Sequence, residues 1–508
     1  TPPFCEGFEA AGIANWRIWW YNFFALKLCE AKMMKRQAFN PYLPEGQYIP
    51  DGEPHVFGDR VYVYGSCDLP NGKRFCPGDY VVWSAPLSDL SDWSVKGVAL
   101  PRKNVWNKSG YKCMWAPDCT RGADGMYYLY FSFGFENRIC VAKSNAPDGP
   151  FEPYGEVKHA DGTLYGCKKG DNMCFDPGVF TDDDGQTYLY SGFSPKLAIR
   201  LGLKFKGLKN VRANGGQVMK LESDMLTLKG APRMSIPGYK NSAGTGFEGY
   251  EFYEASSLRK IGGRYYFVYS TINSHELAYA VSDRPDGNFE FGGVIISNGD
   301  IGLNGNRAPK NYWGNNHGSL ACVRGQWYIF YHKQTNKTEQ SRQGCAEPIE
   351  IGADGRIAQV EMTSCGLNGG PLAGSGEYPA YIACGLQSAL GACKCAYGPV
   401  QRWKYAAHPC IAQKGNAQYI ENLKGGASVT FKYFDIKELE KVSVTVRGHG
   451  GRVSVFADGE KAPVAVIQTK DSADWRKFEG AASLFGGVHS LTFVFEGKGC
   501  DFIRFGLA

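Results

Sequence analysis

Residues Phe247 to Ser270 read F-E-G-Y-E-F-Y-E-A-S-S-L-R-K-I-G-G-R-Y-Y-F-V-Y-S. Glu254 precedes Gly263 by nine residues, and Gly263 opens a strand of aromatic and β-branched residues. The pattern occurs five times. Gly58 opens G-D-R-V-Y-V-Y-G-S, Gly125 opens G-M-Y-Y-L-Y-F-S, Gly185 opens G-Q-T-Y-L-Y-S-G, and Gly325 opens G-Q-W-Y-I-F-Y-H. Successive glycines fall 67, 60, 78 and 62 residues apart. Repetition at this period, with strands alternating on a two-residue step, predicts the blades of a β-propeller.

Each repeat carries a polar residue shortly before its glycine. Asp51 and Asp118 lie 7 residues ahead, Asp176 and Glu254 lie 9 ahead, and His317 lies 8 ahead. The first strand of a propeller blade lines the central channel, so near-equal offsets predict that these side chains surround one axis. Asp118 follows W-A-P and is read as an acid that holds a turn.

The 508-residue chain suffices for two or three domains and a large core. Its 65 glycines and 14% aromatic content suit an all-β protein with many tight turns. The net charge of +6 is spread along the chain, and no basic run interleaves with aromatics, so a nucleic-acid partner is not expected. Seventeen cysteines without regular spacing read as free thiols serving as small apolar residues in a reducing cytoplasm.

Residues 1–33 fit nothing downstream. Trp16 to Leu28 is apolar, but Arg17 and Lys27 interrupt it, and a spanning helix needs ~20 apolar residues. It also lacks the layout of a signal peptide. Met33 and Met34 precede a natural start, so the segment is read as an upstream extension, with no membrane partner and a cytoplasmic location. The propeller is expected over 34–365. P-D-G turns at Pro147 and Pro285 sit at matching places in blades two and four. Gly366 to Gly376 reads as a Gly/Ser linker. From 377 to 508, strands recur every dozen residues or so: S-V-T-F-K-Y-F, V-S-V-T-V-R, R-V-S-V-F-A-D-G and S-L-T-F-V-F-E-G-K-G. They predict a second all-β domain, a jelly-roll-like β-sandwich.

Taken together, N-P-Y-L-P, I-P-D-G-E-P-H-V-F-G-D-R-V-Y-V-Y-G-S, W-A-P-D, F-D-P-G-V-F, the Phe252–Ser270 run and N-N-H-G-S resemble glycoside hydrolase family 43 over residues 40 to about 365. The resemblance implies a five-bladed propeller that hydrolyses arabinofuranosides, xylosides and related galactosides with inversion. It implies Asp51 as general base, Glu254 as general acid, and Asp176 as the carboxylate that orients the acid and raises its pKa. An inverting glycosidase sets its two carboxyl groups about 6.5–9.5 Å apart, so that a water fits between base and sugar. A third carboxylate keeps the acid protonated by like-charge repulsion.

The resemblance also makes His317 the central-channel histidine, facing either calcium or water, and Arg342 a sugar contact near the base. A salt bridge of Arg342 with Glu347 is the other reading. Trp115 is read either as a sugar-stacking face or as a core aromatic. Cys67 stands where histidine is expected. No cofactor is required; calcium in the channel or the sandwich stays open. The C-terminal segment resembles family 6-like carbohydrate-binding modules, with Trp475 and Tyr419 as a sugar platform, against a sandwich that only buttresses the propeller. The expected partner is an oligosaccharide or polysaccharide. Rival readings are a galactofuranosidase or galactanase, and a non-catalytic sugar-binding propeller. The retaining fructan hydrolases lack support, because N-D-P-N-G is absent.

Overall fold

Strands rich in aromatic and β-branched residues pair as antiparallel sheets, and here they do so in five successive units whose middle strands are buried almost throughout. The computed structural model describes residues 36–134, 136–205, 208, 211–336, 338–395 and 408–508. The N-terminal stretch read as an extension lies outside these. Blade one holds β1 (Glu53–Phe57), β2 (Arg60–Tyr64), β3 (Tyr80–Pro86) and β4 (Ser94–Leu100). Blade two holds β5 (Met114–Arg121), β6 (Tyr127–Phe133), β7 (Ile139–Ser144) and β8 (Glu152–Glu156). Blade three holds β9 (Gly178–Thr181), β10 (Thr187–Ser191), β11 (Gly215–Lys220) and β12 (Arg233–Pro237), with helix α1 (Leu197–Phe205) between β10 and β11. Blade four holds β13 (Phe252–Ile261), β14 (Arg264–Thr271), β15 (Glu276–Ser282) and β16 (Glu290–Ser297). Blade five has three strands, β17 (Leu320–Val323), β18 (Gln326–Gln334) and β19 (Arg342–Ile349).

The aromatic second strands clasp neighbouring blades. Tyr64, Tyr130 and Tyr190 are fully buried, and each hydroxyl donates to a carbonyl of the next blade: Pro147 at 2.6 Å, Met225 at 2.7 Å and Pro285 at 2.7 Å. Two of these acceptors are the prolines of the matching P-D-G turns. A buried phenol needs a partner for its hydroxyl, and each such bond contributes roughly 1 kcal/mol beyond the ring's burial. The ring closes where Gly52 bridges Gly318, joining blade one to blade five. The N-terminal lead-in runs beside β19, with Asn40 N–H donating to the Ser364 carbonyl and Tyr42 N–H to that of Gly344.

The C-terminal strands form a ten-stranded sheet around one apolar core that includes Phe431, Phe434, Phe493 and Phe505. Two of the expected strands are one. Ala427–Gly448 runs unbroken for 22 residues, because no Gly or Pro interrupts Asp435 to Lys441. Its register shifts near Phe431, Leu439 and Val446 take up the bending that a turn would have supplied. The stretch read as a linker is built into this part of the fold: Gly366, Leu367 and Asn368 are buried in a 3₁₀ turn, and Leu372–Ala373 pairs with Ala427–Gly448. Propeller and sandwich belong to one body, residues 38–508.

The expected sugar platform also differs. Tyr419 and Trp475 meet edge-on at an interplanar angle of 67°. The Arg447 guanidinium sits 4.8 Å and 4.4 Å from their centroids, held there by Asp501, so these rings cover a cation and do not form a flat paired surface. Among the described residues, no helix is long and apolar enough to cross a membrane.

Candidate active site

Strand pairing sets the register of the channel more finely than glycine counting does. Glu53 faces Tyr64, Asp118 faces Tyr130, Gly178 faces Tyr190, and Ser257 faces Val268. In blade five Ser319 exchanges hydrogen bonds with Phe330. Two residues before each of these stand Asp51, Ala116, Asp176, Ala255 and His317. Four of the five have left-handed φ: 58° at Asp51, 36° at Ala116, 42° at Asp176 and 65° at Ala255. The chain kinks at the channel mouth in the same place each time, an uncommon conformation for non-glycine residues and one that clusters at functional sites. Glu254 comes one residue ahead of its blade's kink, at an irregular step in the pairing of β13.

Asp118 is thus displaced from the ring it was expected to join. It lies two residues past the kink, buried within β5, and holds no turn. Its carboxylate accepts from His55 Nε2 at 2.7 Å and from the Val179 N–H at 2.7 Å, which ties blade two to both of its neighbours. The loops before the hairpin glycines differ by one or two residues, too coarse a ruler to separate Ala116 from Asp118.

Asp51, Asp176, Glu254, His317, Arg342 and Trp115 line one cavity of about 810 Å³. Arg342 Nη1 donates to Asp51 Oδ1 at 2.7 Å, while its Nε and Nη2 bind Asp68 at 2.8 Å and 3.2 Å. The expected pair with Glu347 does not form. Five residues apart on β19, the two point to opposite faces of the strand. Glu347 accepts instead from Asn40, Tyr331 and Thr363.

His332 supports the base from behind. Its Nδ1 accepts the Asp51 N–H at 3.2 Å, and its Nε2 donates to the Asn315 carbonyl at 2.9 Å. Burial holds its pKa down at about 3, so the ring is neutral. Burial alone would raise the Asp51 carboxyl, but the positive charges of Arg342 and His317 and a hydrogen bond from Ser66 outweigh it and set the pKa at about 2. Glu254 is driven the opposite way. Burial, then the charge of Asp176, raises its carboxyl well above the ordinary range. Asp176 is itself raised by burial, against His317, and accepts the Ala255 N–H at 3.2 Å.

His317 stands among acids. Its Nδ1 is 3.5 Å from Asp176 and 3.9 Å from Asp51, and its Nε2 is 3.7 Å from Glu53. Although burial opposes it, these neighbours raise its pKa well above the ordinary value and keep the ring an imidazolium. A metal-bound imidazole must be neutral, so a cation on His317 would have to displace this proton. Among the described residues, the one cluster of ligand type is Glu53, His55 and Asp118, where Glu53 Oε1 has no hydrogen-bond partner. Two carboxylates and an imidazole supply fewer oxygens than calcium takes from a full protein site.

Trp115 meets Phe175 edge-on at 5.1 Å and Phe75 at 6.2 Å, forming an aromatic wall. Several residues of the site were not singled out from the sequence. Phe75 lies 4.8 Å beneath the Arg342 guanidinium, and the Cys76 sulfur is 3.8 Å from Asp51 Oδ2. Both sit on the long connection from β2 to β3, which carries no periodic signal. His332 had a signal: it stands four residues after Tyr328, as Ser66 stands four after Tyr62, at the polar end of its blade's second strand.

Comparison with known proteins identifies the family. The model of glycosyl hydrolases family 43 matches residues 62–357. A xylosidase/arabinosidase of Thermoclostridium stercorarium is 44% identical over 476 residues, covering 92% of this chain and 98% of its own. A xylosidase/arabinosidase of Bacteroides ovatus is 31% identical over 347 residues, covering 63% of this chain and 97% of its own. Among solved structures, the GH43_1 enzyme of Xanthomonas citri aligns with a TM-score of 0.50 at 27% identity, over 64% of this chain and 94% of that one. With the family's model matched across the propeller and a relative of this similarity along nearly the whole chain, the protein belongs to glycoside hydrolase family 43.

Proposed function

We propose that this glycoside hydrolase releases pentosyl units, arabinofuranosyl or xylosyl, from plant-type oligosaccharides, with inversion at the anomeric carbon. One observation supports the assignment of roles above all others: within one cavity, Asp51 is held ionised while Glu254 is held protonated. Two carboxyl groups pushed apart in pKa are the means by which one site supplies both a base and an acid near neutral pH. In this mechanism Asp51 takes a proton from water as the water oxygen bonds to the anomeric carbon. Glu254 gives its proton to the departing glycosidic oxygen, so the C–O bond breaks without expelling an alkoxide. Asp176 keeps Glu254 protonated until that moment. Arg342 and His332 orient Asp51, and His317 neutralises charge that the acids would otherwise concentrate.

The pentose assignment draws on the two xylosidase/arabinosidase relatives. The deciding experiment is hydrolysis of aryl α-L-arabinofuranoside, β-D-xyloside and β-D-galactofuranoside, with proton NMR of the first-formed sugar. Inverted product from a pentoside is expected. Retention rejects Asp51 as base, turnover of galactofuranoside alone rejects the pentose assignment, and failure on all three favours a sugar-binding propeller.

A further inference from the structure

The cavity has another wall that the acid and base leave unused, and it forms where the sandwich meets the propeller. Trp313, between β16 and β17, donates its N–H to the Cys393 carbonyl at 3.2 Å, and the Cys395 N–H donates to the Trp313 carbonyl at 2.6 Å. The two bonds flank Lys394 and lock it to Trp313 as a short parallel bridge. The Lys394 ammonium stands over the indole, 4.9 Å from the ring centroid, and lines the cavity. Lys196, just ahead of α1, lines it as well. Among the described residues, no salt bridge joins either lysine to a carboxylate. Glu339 shares this wall, where the Lys394 charge acts on it, and its Oε1 accepts the Asn315 N–H at 3.0 Å.

Arg342 and His317 are taken up by Asp51, Asp68 and Asp176. With Glu254 protonated, the charged groups left in the cavity lining are two ammonium groups, Lys196 and Lys394, against the single carboxylate of Glu339. A neutral pentose chain gives no reason for that excess. A flexible lysine seated on an aromatic face and tethered on both sides by backbone bonds has already lost much of its freedom, and such pre-ordering favours binding of a charged partner.

We propose that Lys394, supplied by the sandwich and seated on Trp313, forms a subsite for the carboxylate of a uronic acid residue carried by the substrate. The proposal rests on the glycosidase reading and names the substrates that this site prefers. It also gives the sandwich a direct part in the site: one of its residues touches the sugar chain.

The test is calorimetric binding to full-length protein carrying Glu254→Gln, which prevents turnover. The probes are xylotriose and xylotriose bearing one glucuronic acid. The acidic probe is expected to bind about tenfold tighter at low salt, the gain typical of a charge-assisted hydrogen bond. That advantage should shrink as salt rises, disappear in Lys394→Gln, and survive in Lys394→Arg. Equal binding of the two probes overturns the proposal. So does a Lys394→Gln variant, folded by its melting curve, that weakens both probes alike, since that marks a contact blind to charge. Absence of pentoside hydrolysis, by contrast, overturns the enzymatic reading and leaves this comparison intact.

Discussion

At the scale of single residues, the chemistry turns on where one proton resides. Burial and the Asp176 charge together keep it on Glu254, although an unperturbed glutamic acid releases its proton near pH ~4.3. Asp176→Asn keeps the shape and removes the charge, so the Glu254 pKa falls. The limb of the kcat/KM profile that reports loss of the acid should then move to lower pH, and activity at pH 7 should fall. An unchanged profile makes Asp176 structural. Glu254→Gln removes the proton itself. Natural glycosides should lose roughly 10²–10⁴-fold, while aryl substrates with good leaving groups lose far less; equal losses reject Glu254 as the acid. Arg342 carries a different burden. It is buried against two carboxylates, Asp51 and Asp68, so Arg342→Met strands both and should cost about 3–5 kcal/mol in a denaturation experiment. In protein that still folds, the low-pH limb should rise, because Asp51 loses the main charge that holds its pKa down. These roles were legible where a residue sits in a strand with a repeat to compare it against. Phe75 and Cys76 were not, because their loop has no counterpart in the other blades.

At the scale of elements, the first strands work by close approach as much as by what they display. A Cβ at Gly318 would lie 1.9 Å from the Phe330 carbonyl oxygen, where blade five closes on blade one. Gly325, in the hairpin of the same blade, has φ +85° and open space around it. Alanine should therefore act differently at the two sites. Gly325→Ala should cost about 1–2 kcal/mol through backbone strain alone, with kcat/KM unchanged. Gly318→Ala should cost a similar 1–3 kcal/mol and also shift the adjoining His317, so that kcat/KM falls tenfold or more. Kinetics on both variants after matched melting curves decides this; equal activity in the two removes the coupling. Blade number and strand content were readable because the repeat keeps its aromatic pattern. Registration within a blade was less so. Aspartate recurs near the hairpin glycines for two reasons, to face the cavity as Asp51 does and to fasten blades as Asp118 does. Only the pairing of β5 with β6 tells them apart. In the sandwich, Ala427–Gly448 passes through bulges where turns were expected, and bulges have no composition of their own.

At the scale of the whole molecule, three parts of the chain meet at one buried carboxyl. Glu347, on β19, accepts from Asn40 of the lead-in at 2.8 Å, from Tyr331 of β18 at 3.1 Å, and from the Thr363 N–H at 2.7 Å. The next residue, Ser364, donates its N–H to the Lys432 carbonyl of the sandwich at 2.6 Å. Closure of the propeller and attachment of the sandwich thus share a hinge of hydrogen bonds around Glu347. Burial raises its pKa to about 8, against the bonds from Thr363 and Tyr331 that favour the charge. Unfolded, the same group titrates near its ordinary ~4.3. Between those values the folded protein keeps a proton that the unfolded chain has released. The stabilisation is therefore fully present below about pH 4.3, is lost progressively as pH rises toward 8, and changes no further above that. Asp300, raised by burial to about 6 near Lys432, adds to the lower part of the same slope. Glu347→Gln keeps an acceptor for Asn40 and Thr363 and cannot ionise. Its melting temperature should fall less than that of the parent between pH 5 and pH 8, while pentoside hydrolysis at pH 6 stays level, since Glu347 does not line the cavity. Parallel melting curves across that range would mean that Glu347 carries the same charge folded and unfolded, and that the seam is insensitive to pH.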